Sequence, residues 1–448
     1  MATSLRSTVF EPGRTLPVLG EFDLVVIGGG PAGIAASVAA SRRGKKVLLI
    51  ERYGFLGGMG TAGGVTNFAG LYGKRNGKMQ PLVHGIVDEL LDRINALNGL
   101  NQPQDGMGGR IRVRSYDVSA YKCAADQFLQ QAGVQVLFHA VFSNLLMDGT
   151  RIDAILIETK SGRLAVRASY FIDCSGDADV AAAAGVPFSV GDGAGSGLFP
   201  STMFRIGNVD AEKALAAIGE FKAIDAWMER AASRYDFPRR GAILRPQRNP
   251  KEWRANVTQI RNAQGTAVNA LDAEQLSLGE MEGRRQIQSY MRFLKAEIPG
   301  FSEAEIIDIA PQLGIRESRR IHGAYQLTQN DIVHGSKFKD TIGLNSWPME
   351  LHVEGKIEWV FPKDENNSFN QLPWRMLLPK GIHNLLVAGR CASMTHEAQS
   401  AARASGSCFV MGQAAGTAAS LIHPNQAFDE LNLESLQEAL VSDGALLA

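Results

Sequence analysis

The sequence is poor in cysteine. Its four cysteines, Cys123, Cys174, Cys391 and Cys408, are scattered, and no two of them form a C-x-x-C pair. This spacing argues against an iron–sulfur cluster, a structural zinc site and a disulfide redox pair. The chain also lacks an H-E-x-x-H motif and clustered carboxylates, so no metal site is predicted. Scattered thiols are typical of reduced cysteines, which favours a cytoplasmic protein.

Long apolar runs are missing as well. No stretch approaches the roughly 18 apolar residues of a membrane-spanning helix, and we expect no membrane span. The N-terminal segment MATSLRSTVFEPGRTLPVLG lacks the apolar centre of a secretory signal. We expect this segment to be an arm that leads into the first strand.

Charge of either sign is not in excess. Lys+Arg and Asp+Glu each number 46, which gives a formal net charge of zero. A neutral chain has no general attraction for nucleic acid or for an anionic membrane, so neither is expected as a partner. Hydrophobic residues make up 45% and charged residues 21%, as in ordinary globular proteins. A chain of 448 residues is longer than one hydrophobic core usually serves, and we expect two domains.

The stretch DLVVIGGGPAGIAASVAASRRGKKVLLIER, which starts at Asp23, has the pattern of strand, glycine turn, helix and strand. The apolar run 22–27 is typical of a strand inside a parallel sheet. Pro31 suits the first turn of a helix, and the small residues from Ala32 onward suit a tightly packed helix body. Glu51 directly follows the second strand, where an acid accepts hydrogen bonds from an adenosine ribose.

The glycines of this stretch fit the pattern G-x-G-x-x-G at Gly28, Gly30 and Gly33. Gly28 permits a tight turn, Gly30 lets a diphosphate approach the backbone, and Gly33 lets the helix press against the strand. The helix N-terminus then offers free N–H groups and the positive end of its dipole to the phosphates. The whole pattern predicts a site for a dinucleotide that contains ADP, but it does not choose between NAD and FAD.

The C-terminal part of the chain returns to a similar pattern. Residues 382–390 form an apolar strand pattern that ends in Gly389 and Arg390, and a long helix of small residues follows. FAD needs such a return, because its isoalloxazine ring lies far from its adenine end, whereas a simple NAD domain does not. A helix N-terminus directed at the flavin would stabilise negative charge on the reduced ring.

Five segments together resemble the FAD-dependent oxidoreductase family of the glutathione-reductase-like flavoprotein superfamily. They reach from about residue 22 to about 422 and comprise VVIGGGPAGIAA, LIERYGFLGGMGTAGG, IDCSGDADVAAAAG, LGIRESRRIHGAYQLTQNDI and NLLVAGRCASMTHEAQSAARASGSCFVMGQAAGTAA. The resemblance implies tightly bound FAD and a redox reaction, and it leaves the substrate open because members of the family differ widely. Cys174 and Ser175 stand where Ala-Thr is more usual, and we expect little effect because both residues are small.

The resemblance also implies which residues contact FAD. A second glycine patch after Glu51 supports the diphosphate and the flavin side. A valine placed like Val141 contacts the adenine through its backbone, and the strand–turn at Ser175 closes the nucleotide domain. The cofactor-binding residues expected from the motif and the resemblance are Gly28, Gly30, Pro31, Ala32, Gly33, Glu51, Arg52, Gly57, Gly58, Met59, Thr61, Val141, Ser175, Gly176, Asp177, Gly389, Arg390, Arg403, Gly412 and Gln413.

We expect an α/β fold. A Rossmann-like FAD-binding domain is built from an N-terminal portion at 20–190 and a C-terminal portion at 381–425, and a tail follows at 426–448. The N-terminal portion carries a helical insertion at about 80–132. An inserted α+β substrate domain at 191–380 forms a cap over the flavin. The cap begins with GDGAGSG, which does not satisfy G-x-G-x-x-G, so no second nucleotide domain for NAD(P)H is predicted.

Within the cap, the residue pattern predicts helices near 210–233 and 272–297. Strands are expected around 341–361.

His396 and Arg403 are candidates for catalysis near the C-terminal motif. His396 follows the final strand closely, which should bring it near the flavin ring, and an imidazole suits a base that accepts a proton as hydride leaves. The alternative is a histidine that hydrogen-bonds FAD or a loop carbonyl. Arg403 precedes the glycine-rich helix, where its cation could stabilise an anionic reduced flavin or a substrate carboxylate. The alternative is a surface ion pair.

Arg316 and Arg320 are candidates in the segment GIRESRRIHG. If this segment is a strand, these two arginines share one face and Arg319 takes the other. One face could then look toward FAD or an anionic substrate. The alternative is a cluster of ion pairs with Glu317 and a nearby helix.

The leading functional hypothesis is a dehydrogenase or oxidase that takes a hydride from a small polar metabolite to flavin N5. One alternative is a flavin reductase or monooxygenase that uses NAD(P)H. Another is a protein in which FAD is structural and which acts as a scaffold or a nucleic-acid modifier. The electron acceptor and the oligomeric state stay open, with a homo-oligomer as one alternative.

Overall fold

The computed structural model describes residues 8–193, 195–219, 223–239, 241 and 243–448. The strands of this part of the chain are β1 (Val18–Ile27), β2 (Val47–Ile50), β3 (Asn67–Phe68), β4 (Tyr72–Arg75), β5 (Lys78–Pro81), β6 (Gln104–Gly106), β7 (Ile111–Ser115), β8 (Gln135–Leu137), β9 (Val141–Asp148), β10 (Arg151–Thr159), β11 (Gly162–Asp173), β12 (Phe188–Val190), β13 (Phe204–Gly207), β14 (Ile243–Pro246), β15 (Trp253–Asn256), β16 (Glu305–Ile309), β17 (Arg319–Ile321), β18 (Thr341–Asn345), β19 (Met349–Val353), β20 (Lys356–Val360), β21 (Asn370–Pro373) and β22 (Leu385–Val387).

The helices are spread along the whole described chain. They are α1 (Pro31–Arg42), α2 (Ile86–Ala96), α3 (Val118–Gln131), α4 (Asp179–Ala183), α5 (Ala211–Ile218), α6 (Ala223–Ala231), α7 (Ala273–Glu297), α8 (Gln329–His334), α9 (His396–Ala402), α10 (Ser405–Leu421) and α11 (Leu433–Ser442). Of the helices in the described residues, none combines the length and the apolar character that crossing a membrane requires.

The main sheet joins the two ends of the chain. Its strand order is β8-β2-β1-β11-β10-β9, and β22 pairs with β11. β1 runs parallel to β2 and to β11, and β22 runs parallel to β11 with Leu386 opposite Ile172. The stretch of β1 from Leu24 to Ile27 is buried at every position, as in a parallel sheet that is covered on both faces. A strand from the C-terminal portion therefore completes the sheet that the N-terminal strands begin.

Helices α1 and α10 pack against each other beside this sheet. Both consist largely of small residues and are buried over most of their length. A Cβ atom added to Gly412 would collide with the backbone of Ala32, and one added to Gly416 would collide with the backbone of Ala36. These two glycines, one helical turn apart, let the two helix backbones touch.

A second unit is inserted between β11 and β22. Its four-stranded antiparallel sheet has the order β14-β15-β13-β16. One face of this sheet packs with α5, α6 and α7 around a core that includes Leu244, Trp253 and Ala255. The hairpin β19–β20 belongs to the same insertion, and α9 of the C-terminal portion packs against β19.

The predicted fold class is confirmed. The chain has an α/β architecture in which a Rossmann-like sheet is built from N- and C-terminal segments and an α+β unit is inserted between them. The region predicted as helical, 80–132, contains α2 and α3, and it also contains the hairpin β6–β7.

Candidate functional site

A large cavity of about 1320 Å³ lies between the main sheet and the inserted unit. Small-molecule sites usually measure about 300–1,000 Å³, so this cavity has room for a dinucleotide and a second small molecule. We call the part around Gly28, Glu51 and Ser175 the nucleotide end. The part around Arg254 and His352 is the cap end.

The turn after β1 brings bare backbone to the nucleotide end. Gly28 has a φ angle of 102°, which favours glycine, and a Cβ there would also collide with the carbonyl oxygen of Cys174. A Cβ on Gly33 would collide with the carbonyl oxygen of Gly28. A Cβ on Gly58 would lie 2.8 Å from the Cα of Gly30. The first and second glycine patches therefore pack directly on each other.

Glu51 lies beside this turn at the end of β2. Its Oε2 accepts a hydrogen bond from the backbone N–H of Gly29 at 2.7 Å, and its Oε1 accepts one from the backbone N–H of Tyr53 at 3.0 Å. The carboxylate thus stands at the end of the strand, where the sequence predicts an acid for a ribose.

Most residues predicted to contact the cofactor lie in the cavity wall. Those in the wall are Gly28, Gly30, Pro31, Ala32, Glu51, Arg52, Gly58, Met59, Val141, Ser175, Gly176, Gly389, Arg390 and Arg403.

The other predicted cofactor residues lie behind the wall that the described residues form. The hydroxyl of Thr61 donates to the carbonyl of Leu56 at 2.7 Å, and Oε1 of Gln413 accepts from the backbone N–H of Ile86 at 3.1 Å. The complete set behind the wall is Gly33, Gly57, Thr61, Asp177, Gly412 and Gln413.

Asp177 ties the turn after β11 to the end of β22. Its Oδ1 accepts from Nη2 of Arg390 at 2.8 Å and from the hydroxyl of Ser318 at 2.7 Å. Arg52 lies 3.9 Å from the other oxygen of the same carboxylate. Asp177 therefore pairs closely with Arg390 and only loosely with Arg52.

His396 and Arg320 lie outside the wall in the described part of the chain. Nδ1 of His396 is 2.9 Å from the carboxylate of Glu317, and Arg320 pairs with that same carboxylate. Burial and the charge of Arg320 lower the pKa of His396. The strand β17 begins only at Arg319, so it contains Arg320 but not Arg316. The two arginines therefore do not share one face of a strand, and they occupy different environments. Arg320 thus forms part of an ion-pair cluster around Glu317, whereas Arg316 does not.

Arg316 and Arg403 line the cap end. Nη1 of Arg316 donates to the carbonyl of Phe199 at 2.6 Å. Nη2 of Arg403 lies 3.5 Å from the backbone carbonyl of Glu350. The buried Nε of Arg403 has no hydrogen-bond partner among the described residues.

Three further arginines at the cap end, Arg239, Arg245 and Arg254, are not among the site residues predicted from the sequence. Strand alternation directs Leu244 and Ala255 into the core, and it directs Arg245 and Arg254 into the cavity wall, opposite each other in the β14–β15 pair. The alternating pattern W-R-A-N of β15 was the available signal for this arrangement. We call the five cap-end arginines the arginine cluster; they are Arg239, Arg245, Arg254, Arg316 and Arg403.

An acid and a histidine of β19 also went unpredicted. Nε2 of His352 lies 3.1 Å from Oε1 of Glu350, and Nε1 of Trp347 donates to Oε2 of Glu350 at 3.1 Å. The side chains of His352 and Glu350 are 3% and 16% exposed, and both line the cavity. The pattern M-E-L-H-V predicts a strand but does not mark a site. Within the described residues, no three His, Cys, Asp or Glu side chains form a group that could hold a metal.

Burial and mutual repulsion weaken the hold of the arginine cluster on its protons. Burial and the neighbouring charge of Arg245 lower the pKa of Arg254 to about 9, so this guanidinium is still protonated at neutral pH. Burial and the charge of Arg403 lower the pKa of Arg316. The cluster therefore consists of cations that are unfavourably close to one another.

The nearby cations lower the pKa of both Glu350 and His352, which favours the charged form of the acid and the uncharged form of the histidine. Burial opposes ionisation of Glu350, but the hydrogen bond with His352 and the charges of Arg403 and Arg316 outweigh it and lower the pKa of Glu350 to about 2. Burial and the charge of Arg316 lower the pKa of His352 well below its usual value, although Glu350 acts in the other direction. At neutral pH the pair is a carboxylate and an uncharged imidazole.

Residues 23–440 match the sequence profile of the family described as FAD dependent oxidoreductase. The chain belongs to this family. It is therefore an oxidoreductase, and FAD is its cofactor.

Individual relatives of this oxidoreductase are distant. Thiamine thiazole synthase of Methanococcus vannielii is 28% identical over 170 residues, which cover 36% of this chain and 58% of that protein, less than two thirds of its length. A geranylgeranyl bacteriochlorophyll reductase-like protein of Thermoplasma acidophilum has a TM-score of 0.46 and 11% identity, over 95% of this chain and 82% of its own. The p-nitrophenol 4-monooxygenase of Pseudomonas putida has a TM-score of 0.40 and 12% identity, over 69% and 70%.

The residues of the nucleotide end fit FAD. The glycine turn leaves backbone N–H groups at the N-terminus of α1 free of side-chain cover, as a diphosphate requires. Gly28 and Gly30 would hold the diphosphate, and the carboxylate of Glu51 would accept from the ribose. Gly58 and Arg390 also line the cavity. Bound FAD supplies a hydride acceptor to this oxidoreductase.

Proposed function

We propose that this FAD-dependent oxidoreductase is a dehydrogenase or oxidase that takes a hydride from a small polar metabolite. The reacting carbon would also carry a hydroxyl or an amine. The observation that carries the proposal is the buried pair of His352 and Glu350 in the wall of the same cavity that fits FAD. Oxidation of such a carbon releases a hydride and a proton, and this pair offers an acceptor for the proton.

His352 is the proposed proton acceptor. Its imidazole is uncharged at neutral pH because its pKa is lowered, and Glu350 is ionised. An N–H on Nε2 that points at the carboxylate is therefore the favoured tautomer. The lone pair is then on Nδ1, which makes no hydrogen bond with any described residue.

The proposed half-reaction balances without a further reagent. Bound FAD would accept the hydride of the C–H bond, the hydroxyl or amine proton would pass to Nδ1 of His352, and the carbon would become a carbonyl or an imine. Glu350 stabilises the imidazolium that results. Arg316 and Arg403 stabilise the negative charge that develops on the substrate oxygen as its proton leaves.

Anaerobic reduction of the purified yellow protein tests this proposal. The protein is mixed with a panel of hydroxy acids, amino acids and polyols in the absence of NAD(P)H, and the visible flavin absorption is followed. We expect at least one of these compounds to bleach the flavin. Bleaching by NAD(P)H alone would identify a reductase or monooxygenase, and bleaching by no donor would favour a structural flavin; either result overturns the proposal.

A further inference from the structure

Four arginines of the cluster are held by neutral groups of the protein. All four donate to backbone carbonyls, and none of the four forms an ion pair with a carboxylate of the described residues. Protein interiors rarely keep guanidinium groups without an anionic partner. The four are Arg239, Arg254, Arg316 and Arg403.

The acids of the cap end are too few to balance the cluster. In the wall that the described residues form, this end carries Asp225 and Glu350. The wall also contains Glu51, Asp105 and Asp179, but these carboxylates bond the glycine turn, Arg112 and Arg319 respectively. Even with both cap-end acids ionised, Arg239, Arg254, Arg316 and Arg403 leave an excess of positive charge.

The positive groups come from several elements that meet at the cap end. Arg245 and Arg254 stand opposite each other on the face of the β14–β15 pair, where like charges destabilise a sheet. Arg316 and Arg403 come from the segment before β17 and from the end of α9, and they lie near the Glu350–His352 pair. Cations that outnumber the acids and come from both the sheet and the C-terminal portion suit a ligand with two negative groups.

We propose that the cap end binds a small metabolite with two carboxylates, and this inference rests on the proposed oxidation at the same site. Arg245 and Arg254 hold one carboxylate. Arg316 and Arg403 hold the other beside His352, so that the reacting carbon lies between the two anionic groups. Guanidinium groups match the planar carboxylate with two parallel hydrogen bonds each, which explains the use of arginine in place of lysine.

Equilibrium binding to the FAD-loaded protein tests the inference apart from turnover. Succinate and glutarate are compared with butyrate, which has one carboxylate, and with succinamide, which has none. Shifts of the flavin absorption spectrum and of Tm report binding. We expect the dicarboxylates to bind at least about tenfold more tightly than butyrate, since each guanidinium–carboxylate pair contributes strongly. We expect succinamide not to bind, and added salt to weaken the binding of succinate.

A matched pair of arginine variants identifies the binding groups. Arg254→Gln should weaken succinate binding at least about tenfold while changing butyrate binding less. Arg205→Gln is the control, because Arg205 lies opposite Arg254 on β13 but pairs with Asp308 and Glu252 outside the cavity wall of the described residues. Arg205→Gln should leave both affinities unchanged. If Arg254→Gln does not fold, Arg403→Gln replaces it, and the comparison of ligands on the unaltered protein stands by itself.

The outcomes separate this inference from the proposed function. Equal binding of succinate and succinamide, or tighter binding of glycerol phosphate than of succinate, overturns the inference. Tight binding of dicarboxylates without bleaching by any hydroxy acid, amino acid or polyol supports the inference and overturns the proposed oxidation. Bleaching by a neutral alcohol, without binding of dicarboxylates, supports the oxidation and overturns the inference.

Discussion

His352 faces Glu350 along β19, with 3.1 Å between Nε2 of the imidazole and Oε1 of the carboxylate. Nε1 of Trp347 donates a hydrogen bond to the second carboxylate oxygen at 3.1 Å. Because both carboxylate oxygens are engaged, the imidazole has a fixed partner and a fixed tautomer. In this arrangement the carboxylate of Glu350 orients the imidazole of His352, as an acid orients a catalytic base.

Replacement of His352 tests its role as the proton acceptor. We expect His352→Gln to retain FAD, because His352 lies at the cap end of the cavity, and to be bleached by the substrate about 100-fold or more slowly. Stopped-flow absorption under anaerobic conditions measures the rate. His334→Gln is the control, because His334 is an exposed histidine at the end of α8. If His396→Ala slows bleaching and His352→Gln does not, then His396 is the acceptor.

Replacement of Glu350 removes the anion that balances the buried cations. We expect Glu350→Gln to lower the free energy of unfolding by about 3 kcal/mol, because the loss of one partner leaves buried charge uncompensated. Urea unfolding of the holoprotein measures the change. Glu354→Gln is the control, since Glu354 is 73% exposed in its pair with Arg261, and it should cost less than about 1 kcal/mol. Equal effects of the two changes would show that Glu350 does not balance the cluster.

The depressed pKa of His352 predicts a pH-dependent stability with a definite sign. The unfolded chain binds a proton at this histidine below a pH of about 6.5, and the folded chain does not. The free energy of unfolding should therefore fall by about 1.4 kcal/mol for each pH unit between that value and the lowered pKa of the folded histidine, and His352 should contribute no slope above about 6.5. Urea midpoints at several pH values should show a shallower acid-side slope for His352→Gln than for His334→Gln. Parallel curves would show that His352 titrates normally in the folded protein.

Gly30 lets the diphosphate of FAD approach the backbone, so a side chain at this position should weaken the binding of FAD. A Cβ at this position meets only the Cα of Gly58, at 3.7 Å, and the φ angle of Gly30 is −76°, so Gly30→Ala should fold. The added methyl group occupies the space where the diphosphate approaches, and we expect at least about a tenfold loss of affinity for FAD. Gly13→Ala, in open space, should bind FAD normally. Full retention of FAD by Gly30→Ala would place the diphosphate elsewhere.

The nucleotide end could be predicted from the sequence because its determinants are local. The strand, the glycine turn, the helix and Glu51 follow one another within a short stretch, and each has a backbone requirement that a single chain segment reveals. The helices of the cap were also predictable, since the expected helices near 210–233 and 272–297 correspond to α5, α6 and α7. The strands β19 and β20 likewise lie within 341–361.

The cap end could not be predicted in the same way, because its groups meet only after folding. Arg254 and His352 are far apart in the sequence, and neither belongs to a motif. The strands β14 and β15 are only four residues long each, and their alternation is too brief to reveal which face is buried. The position of His396 just after the last strand predicts a place near the flavin, but its imidazole pairs with the carboxylate of Glu317 and does not line the cavity that the described residues form.

The contact between Gly412 and Ala32 bears on how the protein is made. Helix α1 leaves the ribosome early, but the surface on which it packs is supplied by α10, which is synthesised long afterward. A nascent chain that still lacks α10 exposes the inner side of α1 and cannot form the last strand pair of the main sheet. Loading of the coenzyme should therefore follow translation of α10, and chaperones that shield apolar helices have the longest access to this part of the chain.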